Sequence, residues 1–176
     1  MKAVIDLARF FASHPLTHTS PIKAWQRWLS WQIKSRLRDE VIVPWIGGQL
    51  LAVRRGMTGA TGNVYAGLHE FADMMFLLHF LRERDLFLDI GANVGTYTVL
   101  ASGVCRAIEL ETITPTIEEI LLQNGFGRAY YDPFSRLLAQ QPVGLPSSNS
   151  LYVRDFAFVR NRLAAANKIQ VLDRAI

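Results

Sequence analysis

The sequence predicts an α/β fold built on an incomplete sheet, preceded by an N-terminal helix and a β-hairpin. Three observations carry that expectation. Residues 85–102 read as strand, glycine turn and helix, which is half of a βαβ unit. Residues 22–37 and 68–83 repeat apolar side chains at the 3/4 spacing of a helical face. The pair Gly47-Gly48 separates two apolar, β-branched runs and permits the positive φ angles of a tight hairpin turn.

Half of the 176 residues are hydrophobic and 19% are charged, a balance that excludes disorder and predicts a substantial core. Mean hydropathy is +0.14, yet no run of about 18 apolar residues occurs, so no membrane span is expected. Met1 to Pro15 opens like a secretory signal, but Asp6 and Arg9 interrupt its apolar stretch and no small-residue cleavage site follows. The single cysteine, Cys105, forms no internal disulfide, which suits a reducing cytoplasm. The length fits one domain with an extension: residues 1–66 as the helical and hairpin extension, residues 67–176 as the main domain.

The net charge of +4 is concentrated. Between Pro21 and Arg55 lie seven Lys and Arg against Asp39 and Glu40. Such a patch attracts phosphates, on nucleic acid or on anionic lipid. No nucleic-acid motif accompanies it, so no nucleic-acid partner is expected, and a solvated helix face is the plain reading.

Taken in order, Ile22 to Leu37 is an amphipathic helix whose face Ile22, Trp25, Trp28, Leu29, Ile33 and Leu37 is expected to pack on the domain. Its three tryptophans beside Lys and Arg also suit a membrane-peripheral contact through residues 22–37. Val41 to Ile46 and Gln49 to Arg54 are hairpin strands, and Gly56 to Gly67, rich in Gly and Thr, is expected to be loop. Leu68 to Glu83 is a helix through Phe71, Met74, Met75, Leu78 and Leu81. Asp85 to Ile90 is a buried strand of a parallel sheet, Gly91 to Gly95 its turn, and Thr96 to Ser102 the next helix. Arg106 to Thr112 reads as a second strand, and Thr114-Pro115 opens a short helix that Asn124-Gly125 ends. Arg128 to Tyr131 and Ser150 to Val153 are strands, and Phe156 to Ala166 is a last helix.

Chemistry concentrates in Asp89-Ile-Gly-Ala-Asn-Val-Gly95. A carboxylate at a strand end points into the crevice above the sheet, where open α/β sheets bind ligands. Gly91 and Gly95 let a ligand approach the backbone, and the amides of the following helix attract a negative group. Neither G-x-G-x-x-G nor a phosphate-loop lysine is present. The spacing instead suits a ligand with an amino group, a carboxylate and no phosphate, a description S-adenosyl-L-methionine meets; a plain strand-to-helix turn is the alternative.

The string Asp85-Leu-Phe-Leu-Asp-Ile-Gly-Ala-Asn-Val-Gly-Thr-Tyr-Thr-Val-Leu-Ala-Ser102 closely resembles the first motif of the FkbM family of S-adenosylmethionine-dependent methyltransferases. Asn63 to Phe71 is similar to that family's approach to the motif. Asn124-Gly-Phe, Tyr131-Asp-Pro-Phe-Ser-Arg136 and Ser148 to Asp155 resemble its C-terminal segments. The resemblance implies a Rossmann-like class I methyltransferase fold. It also implies O-methylation of a hydroxyl on a sugar or natural-product scaffold, with Asp89, Gly91, Asn93 and Gly95 lining the methionine end of the cofactor. The family's acidic-Pro pair and its Asp-Val-Glu-Gly-like segment do not occur, and only 81 residues follow Gly95. The chain therefore resembles a family member without its middle, the junction falling near Cys105 to Glu111.

A cofactor ribose needs an acidic partner about 20 residues beyond the first motif, and Glu109 stands at that distance, with Glu111 beside it. An alcohol acceptor needs a base. His69 and Glu70, ahead of the motif, are the candidates; His79 reads rather as a core histidine and Asp132 as a turn residue. No Cys/His cluster has metal-ligand spacing. The alternative function is a non-catalytic remnant whose exposed apolar surface drives homo-oligomer formation or membrane-peripheral interaction.

Overall fold

The computed structural model describes residues 2–90, 92–110, 122, 125–143 and 150–176. Two helices, α1 (Lys2–Ser13) and α2 (Pro21–Leu37), open the chain. Phe11 anchors α1, fully buried with its ring edge-on to Trp25 and Tyr65. His14 ties the α1–α2 turn to the main domain. Its Nε2 donates to the carbonyl of Leu68 at 2.9 Å, and its Nδ1 accepts from the Leu16 amide at 3.2 Å.

Helix α2 runs where periodicity put it but packs on a different side. Ala24, Trp31 and Ser35 are buried, whereas Ile22, Leu29, Ile33 and Leu37 are exposed. At 100° per residue the two sets lie on opposite sides of the helix. The aliphatic members of the expected face therefore do not pack on the domain: Trp31 is the anchor instead, enclosed by Val41, Leu51, Val53 and Ala60, and of the expected face Trp25 packs against Phe11.

Strands β1 (Glu40–Pro44) and β2 (Leu50–Arg54) pair antiparallel, Glu40 opposite Arg54. The connection is longer than a two-residue turn. Residues 45–49 form it, with a 3₁₀ turn at Ile46–Gly48 closed by Gln49 N–H donating to Ile46 O at 3.1 Å, and Trp45 N–H donates back to Gln49 O at 2.8 Å. Gly47 and Gly48 do take positive φ, 64° and 80°.

Gly56 to Gly67 is not a loop: α3 spans Thr58–Ala66. Two internal glycines cost about 1 kcal/mol each against alanine in a helix. Tertiary packing outweighs that. Ala60 is fully buried with Trp31, Val41, Leu51 and Val53, and Val64 packs against them. Asn63 Nδ2 donates to Gly59 O at 2.9 Å, while its Oδ1 accepts the His69 amide at 2.7 Å.

Helix α4 (Phe71–Phe80) is the axis of the core. Met74, Met75, Leu77 and Leu78 are buried with Leu68, Leu81, Leu100 and Ala101. Next comes β3 (Leu86–Ile90), α5 (Thr96–Ser102) and β4 (Arg106–Leu110), and β3 and β4 pair in parallel as a βαβ unit should. The anticipated helix opening at Thr114-Pro115 lies outside the described residues.

Beyond it, β5 (Gly127–Asp132), β6 (Leu137–Ala139) and β7 (Leu151–Val153) form an antiparallel sheet in the order β6-β5-β7. Helix α6 (Phe156–Ala164) covers it through Val159 and Leu163. A hairpin of β8 (Gln170–Val171) and β9 (Arg174–Ala175) returns Val171 and Ile176 to the core. Strands this short have no periodicity to read, and β6, β8 and β9 were not expected.

Arg162 joins these parts. It pairs with Asp85 just ahead of β3 and lies over the Phe80 ring at 4.8 Å. Arg82 donates to the carbonyls of His79 and Arg162, both at 2.7 Å, binding the end of α4 to α6. The chain is thus mixed α/β, and among the described residues its strands form four separate small sheets. Packing crosses residue 66 in both directions: Leu16 joins the core around α4, while Val94 and Val99 join the cluster around Trp31.

Candidate functional site

A strand that carries Asp89 next to its last residue must turn sharply before α5 begins at Thr96. Asn93 (φ 54°) and Gly95 (φ 67°) both adopt the left-handed conformation there. Asparagine tolerates that backbone better than most L-residues. Gly95 is the N-cap of α5, and its amide donates to Ala92 O at 2.9 Å.

This turn forms one wall of a cavity of about 510 Å³. Asp89, Ala92, Asn93, Val94, Thr96 and Tyr97 come from the β3–α5 side. Thr58 and Gly59 come from α3, and His69 and Glu70 from the segment ahead of α4. Four of the candidate side chains, His69, Glu70, Asp89 and Asn93, therefore meet around one space. Thr98 Oγ1 donates to Asp89 Oδ2 at 2.6 Å, which holds the carboxylate in one orientation.

The other candidates stand elsewhere or undescribed. Gly91 lies outside the described residues. Glu109 is on β4, directly opposite Asp89 in the parallel register, but its side chain lies outside the described part. His79 is fully buried in α4, its Nδ1 sharing a 2.7 Å hydrogen bond with the Tyr131 hydroxyl. Burial, with the nearby Arg136 charge, lowers its pKa to about 4, so it is a neutral core histidine. Asp132 is a turn residue: it accepts from Phe134 N at 3.2 Å and Ser135 Oγ at 2.6 Å.

Two contributors escaped sequence reading. Tyr97 is half-buried beside Glu70, to which it hydrogen-bonds. Desolvation and then the charges of Asp73, Glu70 and Asp89 push its pKa far up, so the phenol keeps its proton and donates. Its position two residues after Gly95, one turn from Asp89 in the β3–α5 crossover, was the available signal. Gly62 is the other. A Cβ there would sit 2.5 Å from Cγ and Nδ1 of His69, so only glycine lets the imidazole close against α3. The ring's Nδ1 is buried there and has no hydrogen-bond partner among the described residues.

Chemically the cavity is acidic. Glu70 and Asp89 line it, Asp73 acts on the same tyrosine, and no Lys or Arg lines it among the described residues. It favours a cationic or amine-bearing ligand over a phosphate. Among the described residues no three His, Cys, Asp or Glu side chains are grouped to hold a metal ion. Comparison with family models, curated proteins and solved structures finds no match to this chain.

Proposed function

We propose that this cavity binds S-adenosyl-L-methionine and that the chain is an O-methyltransferase of the FkbM type, acting on a hydroxyl of a sugar or natural-product scaffold. One observation carries the reading: a cavity at the carboxyl end of a parallel strand, walled by carboxylates and free of lining cations among the described residues. That donor set fits a sulfonium and an α-amine, both positive, and it disfavours the phosphates of mono- and dinucleotides. The likeness of residues 85–102 to the family's first motif points the same way.

Bound there, the cofactor supplies an electrophilic methyl group. Asp89, which Thr98 holds in place, would receive the amine, and Asn93 would hold the carboxylate end. Glu70 is the proton acceptor in this reading, because the Tyr97 hydroxyl orients it toward one position. His69 has no orienting partner on Nδ1 and serves as wall rather than base.

Calorimetry with S-adenosyl-L-methionine and with its demethylated product tests the site. Both should release heat with the intact chain, and Asp89→Asn should weaken both by about tenfold or more. Glu70→Gln should weaken that affinity less than Asp89→Asn does and lower methyl transfer by about 10²-fold or more. A folded protein that binds neither ligand overturns the proposal.

A further inference from the structure

Helix α2 carries a feature that the cavity does not use. Ile22, Leu29, Ile33 and Leu37 are 72%, 55%, 54% and 78% exposed, and they form one stripe opposite the buried Ala24, Trp31 and Ser35. A water-facing helix gains nothing from four aliphatic side chains in line.

Cations border the stripe. Lys34, Arg36, Arg38 and Arg55 form no ion pair with any described residue. Arg36 reaches only the neutral Gln32 of its own helix, at 2.9 Å. By contrast Lys23 is held by Asp173 and Arg54 by Glu40, so the uncompensated charge gathers at the C-terminal half of α2 and the strand end beside it. A polar cleft of about 520 Å³, lined by Arg36, Arg38, Arg54 and Arg55 with Asp39, opens at that end.

From this juxtaposition we propose that α2 lies in the plane of an anionic bilayer surface, its stripe entering the acyl boundary and its cations meeting lipid phosphates. The two halves of the feature are needed together. An apolar face supplies insertion, and a flank of cations supplies attraction to a negative surface. A second copy is a poor occupant. A two-fold contact through the stripe would bring two net-basic faces together. Nucleic acid would meet the cations but has no use for the aliphatic row.

Flotation of the full chain with vesicles tests the proposal. It should float with phosphatidylcholine vesicles containing 30% phosphatidylglycerol at low salt, and association should fade by about tenfold or more at 0.5 M salt. Leu29→Gln with Ile33→Gln should lower anionic-vesicle binding by about tenfold or more, and so should Arg36→Gln with Arg38→Gln. Leu29, Ile33 and Arg36 are exposed on α2 and Arg38 is exposed just past its end, so circular dichroism should match the parent chain. Failure to float on anionic vesicles overturns the proposal. So does binding that ignores the aliphatic pair, as duplex DNA-like binding through charge alone would, or a stable dimer that the aliphatic pair abolishes.

Discussion

Helices α2 and α4 share an apolar repeat, and the structure treats them oppositely. In α4 the polar residues are few, Asp73 and His79, and Met74, Met75, Leu77 and Leu78 are all buried. In α2, with its Lys and Arg, the aliphatic row faces out and the side bearing Ala24, Trp31 and Ser35 faces in. Periodicity says that a helix forms. Which side is covered depends on what its neighbours can reach and on whether flanking charges can be desolvated.

That contrast sets the largest expected effect. Met75→Ala removes a fully buried side chain and should cost about 2–5 kcal/mol, the range for such truncations in a close-packed core. Leu29→Ala, on the open side of α2, should cost within about 0.5 kcal/mol. Urea midpoints of the two variants check both figures. Similar losses would mean that the α2 stripe is covered after all.

The same contrast explains which parts could be read from sequence. Helices α2 and α4, the hairpin strands and the β3–α5 crossover have long or punctuated patterns, and they are found close to where the residues put them, although β3, expected as a buried strand, leaves Leu86 and Leu88 exposed. Helix α3 was missed because Gly59 and Gly62 lower its propensity, while the packing that rescues it, Ala60 against Trp31 and Val53, is a property of distant residues. At the cavity, Asp89, Asn93, Glu70 and His69 were legible as chemistry. Their meeting was not, since α3 supplies the opposite wall and was read as loop. Tyr97 and Gly62 matter only through contacts no local pattern encodes.

The two buried histidines sharpen the picture through pH. His14 binds the N-terminal turn to Leu68, and His79 sits inside α4 against Tyr131. Burial is the main cause that lowers each pKa from 6.5 to about 4. Each folded-state value lies below the unfolded one, so the unfolded chain takes up the proton first. Stability is full above about pH 6.5 and is lost as pH falls toward 4. His14 alone accounts for a loss of about 3 kcal/mol over that window. Urea midpoints should therefore fall from pH 7 to pH 4.5, and less so in a His14→Gln variant, whose stability at pH 7 is already lower. A flat profile would mean that neither ring is enclosed.

Gly62 gives a smaller effect than the Met75 truncation and ties the α3 side to the cavity. In Gly62→Ala the new methyl would collide with the His69 ring at 2.5 Å, and the ring, not the α3 backbone, is the part that can move. The strain should cost about 1–3 kcal/mol, the usual range for overpacking. Asn63 Oδ1 still holds the His69 amide at 2.7 Å, so the backbone keeps its place while the imidazole swings toward the space beside Glu70. A ligand seated between β3 and α3 would then be crowded. The variant should bind S-adenosyl-L-methionine more weakly than its modest loss of stability explains. A Gly62→Ala protein with unchanged affinity would show that the α3 wall stands apart from the ligand, and that the site is made by the β3–α5 turn and Glu70 alone.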